Sequence, residues 1–292
     1  MKPRVLLLAD YHNWAFDFNA RAITRILGDQ YTFETLFTED KPIIDESRYD
    51  IIQVFYEMES YHHKFLHGKA KIIKCVRSHY WELKGLSPMQ CYWKYLKEAH
   101  VLCVTSRKLL SRLRELPIPA FLVSSGVDTD TFIPHNDRKG PIVVGWAGNA
   151  SQPIKQLDML KQACEGICTL KIVSGDVSHE SMIDFYNSID VIVTSSKAEG
   201  DPRPILEGMS CGNFPIAFPV GITTEVIAYE VNGLLVPQND FSELRKSLKW
   251  CKDNPEIVRK TARYNHELIR VKRDWKTTVP NYANVYEYLL SR

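Results

Sequence analysis

Apolar residues along this chain come in short blocks separated by amphipathic stretches. Residues 4–9 read Arg-Val-Leu-Leu-Leu-Ala, a run too continuous for a half-exposed strand and too short for a helix. It predicts a strand buried on both faces. Residues 18–27 place Phe18, Ala22, Ile23, Ile26 and Leu27 at helical spacing, and Gly28 follows as a C-cap signal. Apolar runs recur at 51–55, 72–76 and 101–104, with a helix-like stretch at 106–116. A Pro-, Asp- and Gly-containing segment at 133–141 marks a connection, and a second series begins beyond it. There, strand-like runs at 142–147, 169–173, 191–194, 215–217 and 233–236 alternate with helix-like stretches at 154–166, 181–188, 204–211, 223–229 and 242–251. Residues 275–290 close the chain with Tyr282, Val285, Tyr286 and Leu289 at helical spacing.

Strand and helix in alternation predict an α/β protein with parallel sheets. The connection predicts two Rossmann-like domains, residues 1–133 and 134–272, followed by a C-terminal helix at 273–292. Ligands of open α/β sheets bind at the carboxyl ends of the strands, so the expected site is a cleft between the two domains.

Composition narrows the class. The 292 residues are 45% hydrophobic and 25% charged, which excludes disorder and fibrous repeats. A formal charge of +2 gives no support to nucleic-acid binding. No run approaches the ~20 apolar residues of a membrane span, and the apolar stretch after Met1-Lys2-Pro3-Arg4 is too short for a secretion signal. The expected location is cytoplasmic. The 7 cysteines are odd in number and dispersed, which fits small buried thiols better than a disulfide framework or a zinc site.

The charge is unevenly spread. Residues 1–60 carry 6 basic and 11 acidic side chains, whereas residues 61–116 carry 12 basic and 3 acidic. The basic block is interleaved with Tyr80, Trp81, Tyr92, Trp93 and Tyr95. It suits an anionic membrane surface at the inner face of the membrane, or a phosphorylated acceptor. A solvated helix face over core aromatics gives the same pattern. His62, His63 and His67 lie in this block without acidic neighbours in sequence, and read as part of such a face.

Candidate chemistry begins with exclusions. The turn after the first strand reads Asp10-Tyr11-His12-Asn13-Trp14 and carries no G-x-G-x-x-G, which disfavours a nicotinamide dehydrogenase; no P-loop motif occurs either. The informative segment runs from Ser195 to Gly212. A buried strand leads into a loop bearing Glu199, and Pro202 and Pro204 pre-set the first turn of a helix bearing Glu207. Two carboxylates there can each accept bonds from a pair of hydroxyls, as on a ribose and a hexose, while free amides of the helix end hold phosphates. Taken alone, the pair also fits a helix-start glutamate on the dipole and a solvated loop glutamate.

The surroundings decide between these. Glu199 and Glu207, with seven residues between, resemble the E-x7-E signature of retaining glycosyltransferases of the glycogen-synthase-like group, family 4 or glycosyl transferases group 1. The resemblance extends to Pro204-Ile205-Leu206-Glu207-Gly208-Met209, to Cys211-Gly212, and to the strand at 215–217. Gly221 to Ile227 resembles that family's glycine-rich donor loop. Asn232-Gly233-Leu234-Leu235-Val236-Pro237 resembles its next strand, and Ser125-Gly126-Val127-Asp128 with Phe132 and Pro134 its interdomain segment.

The resemblance implies a GT-B fold: two Rossmann-like domains with parallel sheets facing across a cleft. It implies transfer of a sugar from a nucleotide-diphosphate donor, UDP- or GDP-linked, to a glycan or lipid-linked hydroxyl acceptor with retention of configuration. No cofactor or metal is implied. By the same resemblance Glu207 binds the ribose and Glu199 contacts the transferred sugar, both as the family's motif has them. Lys155 neutralises the diphosphate, and His79 borders the sugar. Gly148, Gly200, Gly221 and Glu225 fall in donor-binding loops. Asn149 stands where the family has an arginine, and Arg203 is placed to compensate. The family's Gly-Gly loop after the first strand is missing. Two other readings remain open here: a non-catalytic nucleotide-sugar-binding protein, and a sugar-nucleotide epimerase of similar architecture.

Overall fold

The computed structural model describes residues 1–64, 68–135, 138–175 and 177–292. The chain divides into two compact units, residues 1–126 together with 275–292, and residues 127–274. The boundaries lie at 126 and 274 rather than 133 and 272 because of local bonding. The Val127 amide donates to the Arg273 carbonyl at 2.8 Å, the Thr129 hydroxyl donates to the Asp274 carboxylate, and Phe132 is buried in the second unit's core.

The first unit is built on β1 (Arg4–Ala9), β2 (Thr32–Phe37), β3 (Ile51–Val54), β4 (Lys71–Val76), β5 (Val101–Val104) and β6 (Ala120–Leu122). They pair in the order β2-β1-β3-β4-β5-β6, every neighbour parallel. Both faces of β1 are covered. Val5, Leu7 and Ala9 join one apolar cluster, and Leu6 and Leu8 join another. The first cluster is completed by the helix Ala15–Leu27 and by the chain's last helix, Pro280–Leu290, through Tyr282, Val285, Tyr286 and Leu289. At about 1.5–3 kcal/mol per fully buried large apolar side chain, that docking is a major part of the unit's stability.

Buried polar contacts fix the position of the last helix. The Tyr286 hydroxyl donates to Gln53 Oε1 at 2.7 Å. Arg77, just beyond β4, donates to the Tyr282 hydroxyl at 3.0 Å and to Ser125 Oγ at 2.9 Å.

The second unit is built on β7 (Val143–Ala147), β8 (Thr169–Val173), β9 (Val191–Thr194), β10 (Phe214–Ala217) and β11 (Leu234–Leu235), again all parallel, in the order β11-β10-β9-β7-β8. Val191 and Val193 face one cluster and Ile192 the other, so this sheet too is buried on both sides. In each sheet the order reverses between the first and third strands of the series, the switch point at which open α/β sheets bind ligands.

Several predicted elements differ in detail. The helix expected over 154–166 is broken: Pro153–Lys155 is a 3-10 turn, Gln156 is left-handed at φ 52°, and the α-helix runs only over Leu157–Cys164. Gly28 stands at the end of the first helix in a right-handed conformation, at φ −62°. Asn136 and Asp137 of the expected connection, and His67, lie outside the described residues.

The basic block is not one solvated face. Lys74 is fully buried in β4, where it donates to the Glu59 carbonyl at 2.5 Å, and burial pushes its pKa down to about 8. His62 is also fully buried and kept neutral, its pKa pushed to about 2 by burial and then by the Lys74 charge. His63 has an acidic partner, Glu98, at 3.3 Å. The reading of these two histidines as solvated is therefore corrected. Sequence neighbours gave no sign of this burial or of the Glu98 partner. Trp81 is core, whereas Trp93 is 62% exposed.

Candidate donor site

The candidate site of the second unit occupies the carboxyl ends of β7 and β9, the two strands flanking its switch point. After β7 the chain runs through Gly148 and Asn149 to the Pro153–Lys155 turn. The Gly148 amide donates to the Val173 carbonyl at 3.1 Å, and Asn149 Oδ1 accepts from the Ser151 amide and hydroxyl at 3.0 and 2.7 Å. Asn149 thus shapes the loop instead of presenting a cation.

After β9 a second loop is fastened to the first. Ser195 Oγ donates to the Lys155 carbonyl at 3.0 Å, and the Lys197 amide donates to the Ile154 carbonyl at 2.9 Å. These bonds bring Lys155 Nζ to 2.5 Å from Glu199 Oε1, with side chains 24% and 16% exposed. The left-handed Gln156 turns the chain sharply here, so Lys155 sits on a short turn beyond the carboxyl end of β7 and not on a helix face.

Glu207 lies in the helix Arg203–Ser210, its side chain 8% exposed. Its carboxylate is bound from two sides. Arg203, one helical turn earlier, donates through Nε and Nη2 to Oε1 at 3.1 and 2.6 Å. The Tyr186 hydroxyl, from the helix His179–Asn187, donates to Oε2 at 2.8 Å. Desolvation of buried Tyr186, then the Glu207 charge, pushes the phenol's pKa well up, so it stays a donor. Sequence reasoning missed Tyr186, since nothing in spacing links residue 186 to residue 207. Arg203 stands in a largely buried ion pair, not on the surface.

The loop after β10 closes on the loop after β9. The Ile222 amide donates to the Gly200 carbonyl at 2.9 Å, and Gly221 is left-handed at φ 50° with its α-carbon so close that an added Cβ would stand 1.9 Å from that carbonyl oxygen. Only glycine fits such an approach. Thr223 Oγ1 secures the turn by donating to the Phe218 carbonyl. Glu225 follows, its carboxylate held by Arg273 Nη2 at 2.9 Å.

The structure therefore joins Lys155 with Glu199, Arg203 with Glu207, and Gly200 with Gly221, while Glu225 is turned to Arg273. His79 belongs to the first unit, buried at the start of the short helix Tyr80–Leu83 after β4. Besides Tyr186, the partners Ser195, Gln156 and Arg273 were not evident from sequence.

The fold has parallels among solved structures. The whole fold is similar to sucrose-phosphate synthase from Thermosynechococcus elongatus, with a TM-score of 0.84 at 15% identity, covering 99% of this chain and 100% of that one. It is similar also to HepE of Anabaena, solved in complex with UDP and glucose, with a TM-score of 0.73 at 12% identity, covering 98% of this chain and 100% of that one. The fold is that of the GT-B glycosyltransferases.

Residues 145–268, within the second unit, match the Glycosyl transferases group 1 family. In sequence the chain is 26% identical to one uncharacterized glycosyltransferase of Methanocaldococcus jannaschii over 251 residues, covering 77% of this chain and 67% of that protein. A second glycosyltransferase of the same organism is 25% identical over 119 residues, covering 40% of this chain and 30% of its own length. The chain thus spans about two thirds of one curated relative and under a third of the other.

Proposed function

We propose that this protein is a retaining glycosyltransferase of family 4, transferring a hexose from a nucleotide-diphosphate sugar to a hydroxyl acceptor. The observation that carries the reading is the Lys155–Glu199 pair at the carboxyl ends of the two switch-point strands, with the buried, oriented Glu207 on the helix that follows. UDP in the HepE complex supports a uridine donor; GDP is the alternative.

The chemistry follows from the residues. A departing diphosphate develops negative charge, which the Lys155 ammonium is placed to offset without a metal ion, together with loop amides near Gly148 and Gly221. The anomeric carbon develops positive charge, and Glu199 supplies the compensating carboxylate. Lys155 and Glu199 pair with each other, so donor binding would insert the diphosphate on the lysine and leave the carboxylate to the sugar. Glu207, held by Arg203 and Tyr186, retains lone pairs for ribose hydroxyls. Asn149 lacks a cation, which places the phosphate load on Lys155.

The acceptor is proposed to be a glycan or lipid-linked hydroxyl. Exposed Trp93, with Lys94 and Lys97 exposed beside it, favours an anionic membrane surface against the first unit. No helix among the described residues is long and apolar enough to cross a membrane.

The test is turnover of UDP-, GDP- and ADP-sugars, with product configuration read by NMR. The reading expects one nucleotide to be preferred, an axial donor to give an axial product, and Glu199→Ala to lose nearly all turnover while keeping its circular dichroism. A folded protein that binds the nucleotide sugar with no transfer or hydrolysis would be a binding protein instead.

A further inference from the structure

Outside the donor site, the second unit brings two cysteines together at one turn. Cys164 is the last residue of the helix Leu157–Cys164, and Cys168 precedes β8. Gly166, left-handed at φ 69°, turns the chain between them, and the Cys168 amide donates to the Cys164 carbonyl at 3.2 Å. That backbone bond holds the two Cα atoms within the roughly 4.4–6.8 Å that a disulfide spans. Both side chains line one surface groove.

The two sulfurs are not equivalent. Cys164 is buried and Cys168 partly exposed, and the groove that both line is bordered also by Lys161, Gly166 and Leu170. The neighbouring Cys164 thiol, followed by the Lys252 and Arg245 charges, holds Cys168 below the ordinary thiol range, while the Cys168 thiol and burial push Cys164 up. Arg245 also fixes the turn, its Nη1 donating to the Ala163 and Glu165 carbonyls at 3.1 and 3.0 Å. The outer sulfur is therefore the nucleophile, and the inner one is a neighbour positioned to resolve it.

We propose that Cys164 and Cys168 form a hydroperoxide-reactive dithiol that closes to an intrachain disulfide. The Cys168 thiolate attacks the peroxide, breaking its O–O bond, to give a sulfenic acid and an alcohol, or water from hydrogen peroxide. Cys164 sulfur then displaces hydroxide from Cys168 sulfur, forming the S–S bond, and the thiol proton leaves with it as water. Two thiols are oxidised by two electrons and one peroxide is reduced. A dithiol reductant reverses the change.

The folded chain is treated with hydrogen peroxide, blocked with iodoacetamide and digested with trypsin, which releases residues 162–171 as one peptide holding both cysteines. The expected result is a peptide two hydrogens lighter, unalkylated until dithiothreitol is added. Cys164→Ser is expected to leave a dimedone-reactive sulfenic acid at Cys168, and Cys168→Ser to slow thiol loss at Cys164 by about tenfold or more. Equal alkylation with and without peroxide would overturn the proposal. So would a cross-link from Cys168 to the neighbouring buried Cys251, found as two joined peptides. The wild-type mass readout needs neither variant to fold nor any sugar transfer.

Discussion

The Tyr186 hydroxyl donates to Glu207 Oε2 at 2.8 Å, fastening a carboxylate of the helix after β9 to the helix before it. Arg203 holds the other oxygen. A buried carboxylate so held has one orientation, which the proposed ribose-binding role would use.

Tyr186→Phe keeps the ring, which packs edge-on to Phe132 at 5.9 Å, and removes the donor. Glu207 then faces an apolar edge. The expected loss is about 1.5–3 kcal/mol in urea unfolding, with nucleotide affinity weakened several-fold by calorimetry. An unchanged unfolding midpoint would show that water replaces the phenol.

Lys155 and Glu199 contact each other and are expected to act as a unit. Lys155→Met should lower kcat/KM by about a hundredfold or more, roughly 2.7 kcal/mol of transition-state stabilisation, with most of the loss in kcat. In a double-mutant cycle with Glu199→Gln the two losses should fall short of additive by about 1 kcal/mol or more. Additive losses would mean independent roles.

Gly221→Ala tests the backbone contact with Gly200. A methyl group 1.9 Å from a carbonyl oxygen cannot be absorbed by a rotamer change, and the left-handed conformation adds strain. The expectation is destabilisation by more than about 2 kcal/mol, together with weaker nucleotide binding. Gly166→Ala, left-handed but with no atom within 4 Å, should cost only about 1 kcal/mol and serves as the control.

Glu57 lies fully buried just beyond β3, accepting from the Arg77 amide at 3.0 Å, and desolvation pushes its pKa up to about 7. The folded state therefore holds a proton that the unfolded chain releases near pH 4.5. This contribution to stability is complete at low pH and falls away as pH rises toward about 7, by on the order of 3 kcal/mol. Glu57→Gln should thus raise the thermal midpoint more at pH 8 than at pH 5. Buried His62 acts oppositely: the unfolded chain takes up a proton below about pH 6.5 and the folded state does not, so acid weakens the fold. His62→Leu should blunt the acid limb without altering the Glu57 limb.

Much of the architecture was legible because buried parallel strands carry continuous apolar runs. Val5–Leu8 and Val191–Val193 are unmistakable on that ground. The two edge strands of the first sheet were not: β2 reads Thr-Phe-Glu-Thr-Leu-Phe and β6 only Ala-Phe-Leu, and partial burial leaves a mixed pattern. The Lys155 region misled because Ile154, Leu157 and Leu160 continue a helical period straight through a left-handed residue that no side chain announces.

By itself, the sequence determined the alternation of strands and helices, the switch-point loops, and the motif carrying Glu199, Gly200, Arg203 and Glu207, because these are written in local periodicity and short spacing. Only the tertiary structure decided which charges meet: Lys155 with Glu199 across 44 residues, Tyr186 with Glu207 across 21, Glu225 with Arg273 across 48. It also turned His62 and Lys74 inward. Side-chain pairing and burial depend on how strands order in the sheet, and that order is set by packing both faces at once, a property that no local stretch of residues contains.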